Sequence, residues 1–174
     1  AKKSYENEII FPHILVMTAT PIPRTLTMTA YGDLDVSTIR TKPKNRKPIK
    51  TTVAFDSNRE DVYYFIKERL NAGEQAFIVY PLVEESEKMD LKNAVDEFEK
   101  IKVEYPDIRF GLLHGKMKEA EKAEIMQSFR ENEIQVLVST TVIEVGVDVP
   151  NANMMIIEHT ERFGLSQLHQ LRGR

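Results

Sequence analysis

Apolar positions along this chain alternate between short, nearly continuous runs and longer stripes at helical spacing. Ala76–Tyr80 (AFIVY) is the clearest run, as expected of a strand covered on both faces. Thr51–Phe55, Ile108–Leu113, Ile134–Ser139 and Asn153–Glu158 read as further strands, with Met154, Met155, Ile156 and Ile157 as core. Between them lie the stripes. Ser57 and Glu60 have the spacing of a capping box, in which side chains satisfy the free N–H groups of a helix start. Val62, Phe65, Ile66 and Leu70 then share one face, and Gly73 ends that helix. Asp90 is placed to cap a second helix with the stripe Leu91, Ala94, Val95, Phe98 and Ile101, stopped near Pro106. A third helix is predicted from about Lys118 to Glu131, and a last one from about Ser166.

Strands alternating with helices at this spacing predict an α/β fold, a three-layer arrangement of a parallel sheet with helices on both faces. Right-handed crossovers then bring every strand's carboxyl end to one edge, where ligands of open α/β sheets bind. Polar clusters follow the strands at Tyr80–Glu85, His114–Gly115, Thr140–Asp148 and His159–Arg162, so all of them are expected on one rim.

The first 40 residues are organised differently. Ile14–Met17 (ILVM) reads as a buried strand running into Thr18, Ala19 and Thr20. Pro21 and Pro23 interrupt the chain, residues 24–31 suit a short helix ending at Gly32, and residues 36–39 a short strand. These elements are too few to fold by themselves and read as the tail of a preceding domain. Residues 40–50 (RTKPKNRKPIK) then carry six Lys or Arg and no acid, which suits either a flexible connector or a track for polyanions.

Composition narrows the possibilities. At 174 residues the chain can bury a core without covalent staples, and with no cysteine it has neither disulfides nor a thiolate metal site. A cysteine-free chain suits a reducing cytoplasm. No apolar run approaches the ~18–20 residues of a membrane span, and no leader is evident after Ala1, so no membrane partner is expected. The net charge of −3 argues against binding nucleic acid through bulk basicity, though not through a local track. The histidines at 13, 114, 159 and 169 have no metal-ligand spacing, and no metal site is assigned.

Two rim segments carry candidate chemistry. Thr140 and Thr141 end a strand, and Gly146 and Asp148 follow. Hydroxyls and open backbone N–H groups at such a turn suit phosphodiester oxygens, Gly146 would allow close approach, and Asp148 could accept from a sugar hydroxyl. An ordinary loop with a turn glycine explains the same residues. At the end of the sequence, Arg172 and Arg174 flank a glycine beside a helix, where an arginine fork can neutralise charge on a transferring phosphoryl group. Solvent-facing charge is the alternative there.

The order and wording of these segments resemble a family. Thr18-Ala19-Thr20-Pro21, Leu113-His114-Gly115, Ser139-Thr140-Thr141 through Gly146 and Asp148, and Gln170-Leu171-Arg172-Gly173-Arg174 resemble successive motifs of the superfamily 2 helicases. Within that superfamily, MTATPIPRTL (17–26), YGDLDVS (31–37), IVYPLVEESEK (78–88), TTVIEVGVDVPNA (140–152) and ERFGLSQLHQLRGR (161–174) are similar to the bacterial RecG-like DNA helicases. Transcription-repair coupling translocases share part of this wording, and a non-catalytic nucleic-acid-binding α/β module is a third reading.

The resemblance implies a RecA-like, P-loop NTPase fold and a motor of two such domains with ATP between them. Residues 1–44 would be the end of the first domain with a basic linker, and 45–174 most of the second, cut at its last motif. It implies a coupling role for Thr18, Ala19 and Thr20, and DNA backbone contacts for Thr140, Thr141, His114 and Gly115. It implies nucleotide contacts for Gly146, Asp148 and Arg174, with Gln170 and Arg174 in the catalytic motif. That motif normally continues with another Gly-Arg pair, which is absent here. ATP and Mg²⁺ would be held mainly by the missing first motor domain, since no G-x-x-x-x-G-K-[ST] loop and no Asp-Glu magnesium pair of that kind occurs. DNA, branched or fork-like, and the rest of the helicase chain are the implied partners of a cytoplasmic monomer active in repair and recombination. This segment alone is expected to be inactive.

Overall fold

The structure, a computed structural model, describes residues 48–81, 87–140 and 149–173, the backbone of 3–5 and 8–10, and positions 15, 17, 37, 39 and 41; for residues 87 and 88 it describes backbone only. The chain divides into two compact units, Ala1–Lys47 with His169–Arg174, and Pro48–Leu168. In the first unit, β1 (Lys3–Tyr5) and β2 (Glu8–Ile10) form an antiparallel hairpin that the hydrophobic pattern did not indicate. Leu15, Met17 and Ile39 are in no helix or strand and are largely exposed. An apolar run is buried as a strand only where another strand pairs with it, and no described strand pairs with Leu15 or Met17. The expected helix over 24–31, and the rest of the strands expected at 14–17 and 36–39, lie outside the described residues.

The second unit is built on a four-stranded parallel sheet, in the order β4 (Phe110–Leu113), β5 (Val136–Thr140), β3 (Gln75–Tyr80), β6 (Ala152–Ile157). All residues of β3 and β5 are buried, the signature of strands covered on both faces. β6, at an edge, is mostly half-buried. One face carries α1 (Arg59–Asn71) and α2 (Glu87–Glu104): Tyr63, Ile66, Leu70, Ala94, Phe98 and Ile101 pack with Ala76, Ile78, Tyr80, Val136 and Val138. On the other face, α3 (Glu119–Arg130) presents fully buried Phe129 edge-on to Phe77, with ring centroids 5.0 Å apart. Helices on both faces make this the three-layer arrangement expected from the alternation of strands and stripes.

Four local expectations are corrected. Residues 51–55 form no strand, and Val53 and Phe55 are exposed, because no described strand offers them a ladder. The Ser57–Glu60 capping box does not form. A 3₁₀ turn over Asp56–Asn58 starts the helix one residue later, and Ser57 Oγ donates to Asn58 Oδ1 instead. On α1, Tyr63 takes the core position assigned to Phe65, which is 54% exposed. Tyr63 is held there by a parallel stack on Tyr105, with centroids 4.9 Å apart. Finally, Asp90 lies inside α2 rather than at its N-cap and is paired with Arg162. Gly73, at φ +86°, does end α1 as expected, where a side chain would be strained.

Gln75 ties the two faces together at the amino edge. Its buried Nε2 donates to the carbonyls of Phe129 (2.6 Å) and Ile134 (2.8 Å), fixing the end of α3 to the start of β3. Phe129→Ala is expected to destabilise the second unit by about 3–5 kcal/mol, through lost burial plus an unfilled cavity. Phe65→Ala should stay within about 0.5 kcal/mol, as for other exposed positions. Denaturant unfolding of the two variants checks both; equal losses would mean that Phe65 belongs to the core.

Candidate functional site

Because all four strands are parallel, the residues leaving them meet along one edge. Register makes the arrangement specific. Leu113 pairs with Ser139, Tyr80 with Thr140, and Val79 with Ile157. The positions His114, Thr140, Tyr80 and Glu158 therefore form one row across the sheet, on the face covered by α1 and α2. Neighbouring strands lie ~4.8 Å apart, so each side chain has the next beside it.

This row is polar, and much of it is buried. Thr140 is completely buried and its Oγ1 has no hydrogen-bond partner among the described residues, while neighbouring Ser139 donates to the Thr140 carbonyl at 2.9 Å. The Tyr80 hydroxyl and His114 Nδ1 are likewise buried without partners among the described residues. A polar group left unsatisfied in this way costs about 1–3 kcal/mol. Burial, and next the carboxylate of Glu158, push the Tyr80 phenol well above its ordinary range, so it stays a neutral donor.

At one end of the row, His114 and Gly115 form the turn between β4 and α3. The Met117 N–H donates to the His114 carbonyl at 3.2 Å, and the His114 N–H meets Met117 Sδ at 3.4 Å. Glu121 accepts from the Lys118 N–H at 3.0 Å and secures the first turn of α3. Lys116 and Lys122 lie close enough to act on the imidazole. At the other end, Glu158 pairs with Arg59 at 3.2 Å, and the Arg59 guanidinium also lies 5.4 Å from the Tyr63 ring centroid.

Of the residues singled out from the sequence, Thr140, His114 and Gly115 come together on this rim. Gln170 is exposed on α4 (Leu165–Arg172), where its carbonyl accepts from the Gly173 N–H at 3.0 Å, and Arg172 is exposed on the same helix. Thr18, Ala19, Thr20, Thr141, Gly146, Asp148 and Arg174 lie outside the described residues, as do Glu84 and Glu85. Tyr80 takes its place on the rim as expected, whereas the sequence reading missed Arg59 and Glu158 as members of the same site. Glu158 was visible as the acid closing an apolar strand, but nothing local pointed to its partner, 99 residues away.

Residues 58–174 match the family described as the helicase conserved C-terminal domain. This chain belongs to that family. The chain is 54% identical over 165 residues to the ATP-dependent DNA helicase RecG of Aquifex aeolicus (strain VF5), covering 95% of this chain and 21% of the relative. It is 52% identical over 164 residues to RecG of Escherichia coli (strain K12), covering 94% and 24%. A solved structure of RecG bound to a three-way DNA junction superposes with a TM-score of 0.72 at 47% identity, over 90% of this chain and 20% of that one. Dbp5 L327V of S. cerevisiae, bound to RNA and ADP BeF3, matches at TM-score 0.51 and 20% identity over 68% of this chain and 29% of that one, a likeness of fold alone. The chain thus spans about a fifth of the length of the RecG relatives it matches. Among the described residues no helix is long and apolar enough to cross a membrane, and no group of three His, Cys, Asp or Glu is arranged to hold a metal ion.

The His114 imidazole has a testable electrostatic consequence. Burial, and secondarily Lys116 and Lys122, lower its pKa below the ordinary 6.5, outweighing Glu121. The fold therefore disfavours the protonated form. Its contribution to stability is full above pH 6.5 and is lost as the pH falls from there through the lower folded-state value. In His114→Gln this part of the pH dependence is expected to vanish. Urea midpoints for both proteins across that window check it, and parallel curves would contradict it.

Proposed function

We propose that this chain is a segment of an ATP-dependent DNA helicase motor that acts on branched DNA in replication-fork remodelling, recombination and repair. The observation that carries the reading is the 47% identity, at TM-score 0.72, with RecG bound to a three-way DNA junction. Residues 1–44 would be the end of the first RecA-like domain with its basic linker, and 45–174 most of the second. The likeness to RecG extends over 95% of the chain, which favours this reading over a transcription-repair translocase or a non-catalytic module.

In this reading the rim meets nucleic acid. Thr140, Thr141, His114 and Gly115 contact the phosphodiester backbone, which positions a duplex without reading its sequence. The lysines beside His114, at the end of the row that holds Thr140, are the feature that supports this. Because contacts of this kind are shared among a few side chains, the grip can be released and remade as the motor steps. Thr18, Ala19 and Thr20 would couple that grip to the nucleotide site. Gly146, Asp148 and Arg174 would face the nucleotide, with Gln170 and Arg174 in the catalytic motif. Bound mainly by the other motor domain with Mg²⁺, ATP supplies the free energy of phosphoryl transfer. Arg174 would neutralise charge on the transferring group, and the basic residues 40–50 would remain an interdomain connector.

In the intact helicase, Arg174→Ala is expected to lower DNA-stimulated ATP turnover by about 10³-fold or more, as for other arginines that meet a γ-phosphate. DNA affinity should be nearly unchanged; a large loss of affinity would assign Arg174 to the DNA backbone instead. The chain by itself, without a phosphate loop in its sequence, is expected to hydrolyse no ATP. DNA-stimulated phosphate release by the purified chain would contradict that.

A further inference from the structure

Beyond β6 the chain turns through an elbow, residues 158–162, that arginine–carboxylate pairs hold at both ends. At its start, Glu158 is joined to Arg59 of α1. At its end, Arg162 meets Asp90 of α2 through both terminal guanidinium nitrogens, Nη1 to Oδ1 at 2.8 Å and Nη2 to Oδ2 at 3.0 Å. Between them His159 is held in the left-handed region at φ 52° and ψ 51°, and a short 3₁₀ turn over Thr160–Arg162 follows. Phe163 is then buried, and the Gly164 N–H donates to Gln167 Oε1 at 3.0 Å as α4 begins.

The Arg162–Asp90 pair is not what packing alone would select. The Asp90 side chain is 1% exposed, on a helix whose other inward positions are apolar. Withdrawing a carboxylate from water is unfavourable, and an apolar residue of similar size at such a position is often at least as stable. What a bidentate pair adds is direction: the planar guanidinium and the carboxylate share one plane, so the segments bearing them have one mutual orientation. A left-handed, non-glycine residue likewise persists only where its surroundings determine it. The elbow is thus specified from both ends, and the element it delivers is α4, which carries Gln170.

We propose that Arg162, through its pair with Asp90, is a positioning residue for the catalytic motif on α4. It holds the first turn of α4 in one orientation against α2, and that turn leads directly into the motif. The inference rests on the helicase reading above. Misplacement by ~1 Å at a reacting centre can lower a rate ~10²-fold, so the effect belongs in kcat rather than in folding.

The test uses the intact helicase and measures DNA-stimulated ATP hydrolysis over a range of ATP concentrations, with urea unfolding alongside. Arg162→Lys keeps the charge but loses the fork. It is expected to lower kcat by about 10–100-fold while KM for ATP and the unfolding midpoint stay near wild type. Asp90→Asn should fall by a similar factor, and the double variant Asp90→Asn with Arg162→Gln by no more than either single one, because all three lose the same pair. If Arg162→Lys does not fold, that neutral double variant replaces it, and a folded form with the same fall in kcat supports the proposal. Wild-type kcat in a folded Arg162→Lys or in the folded double variant overturns it, as does a rate loss that only follows the unfolded fraction. An intact wild-type protein without DNA-stimulated turnover overturns the helicase reading, and this inference with it.

Discussion

The second unit depends on one strand. β3 has a hydrogen-bonded neighbour on each side, and every residue from Gln75 to Tyr80 is buried. Such a strand cannot exist unless α1 and α2 cover one face and α3 the other, since backbone and side chains alike are withdrawn from water. Its amino end is fixed by the Gln75 amide to the carbonyls of Phe129 and Ile134. Its carboxyl end delivers Tyr80 into the polar row. Both the packing of the layers and the composition of the rim follow from this placement.

Elements whose order comes from their own periodicity were legible from the sequence. The stripe Leu91, Ala94, Val95, Phe98 and Ile101 appears on α2 as read, with Ala94, Phe98 and Ile101 buried. Likewise β3–β6 and α3 lie within two residues of their expected bounds, a usual scatter for strand and helix ends. What failed depended on partners remote in sequence. Thr51–Phe55 has the pattern of a strand but no ladder to join. Phe65 and Tyr63 are both compatible with the α1 stripe, and only the ring of Tyr105 decides between them. Asp90 resembled a cap because caps are the commonest local use of aspartate near a helix start, whereas its partner Arg162 lies 72 residues further on.

The same distinction governs the site. Convergence of the strand ends could be inferred from topology, and His114, Gly115 and Thr140 do meet there. Tyr80 was expected on that rim too, but that the row ends at Glu158 paired with Arg59 could not be inferred, because register is a property of paired strands rather than of any one segment. The rim therefore combines two kinds of polar group. Thr140, Tyr80 and His114 carry buried atoms without partners among the described residues, whereas Glu158, Arg59, Asp90 and Arg162 are joined in pairs. The pairs hold the backbone of the rim in place.

The order of strands also has a consequence for synthesis. β3 is made early but sits between β5 and β6, and its first partner ends about 60 residues later at Thr140. At ribosomal rates of about 5–20 residues per second, this apolar segment waits roughly 3–12 s for a neighbour. Local helices can form during that delay, but the sheet cannot. In the cell, a strand that is wholly buried in the finished domain is thus exposed until its partners are made, which leaves an apolar segment open to association during synthesis.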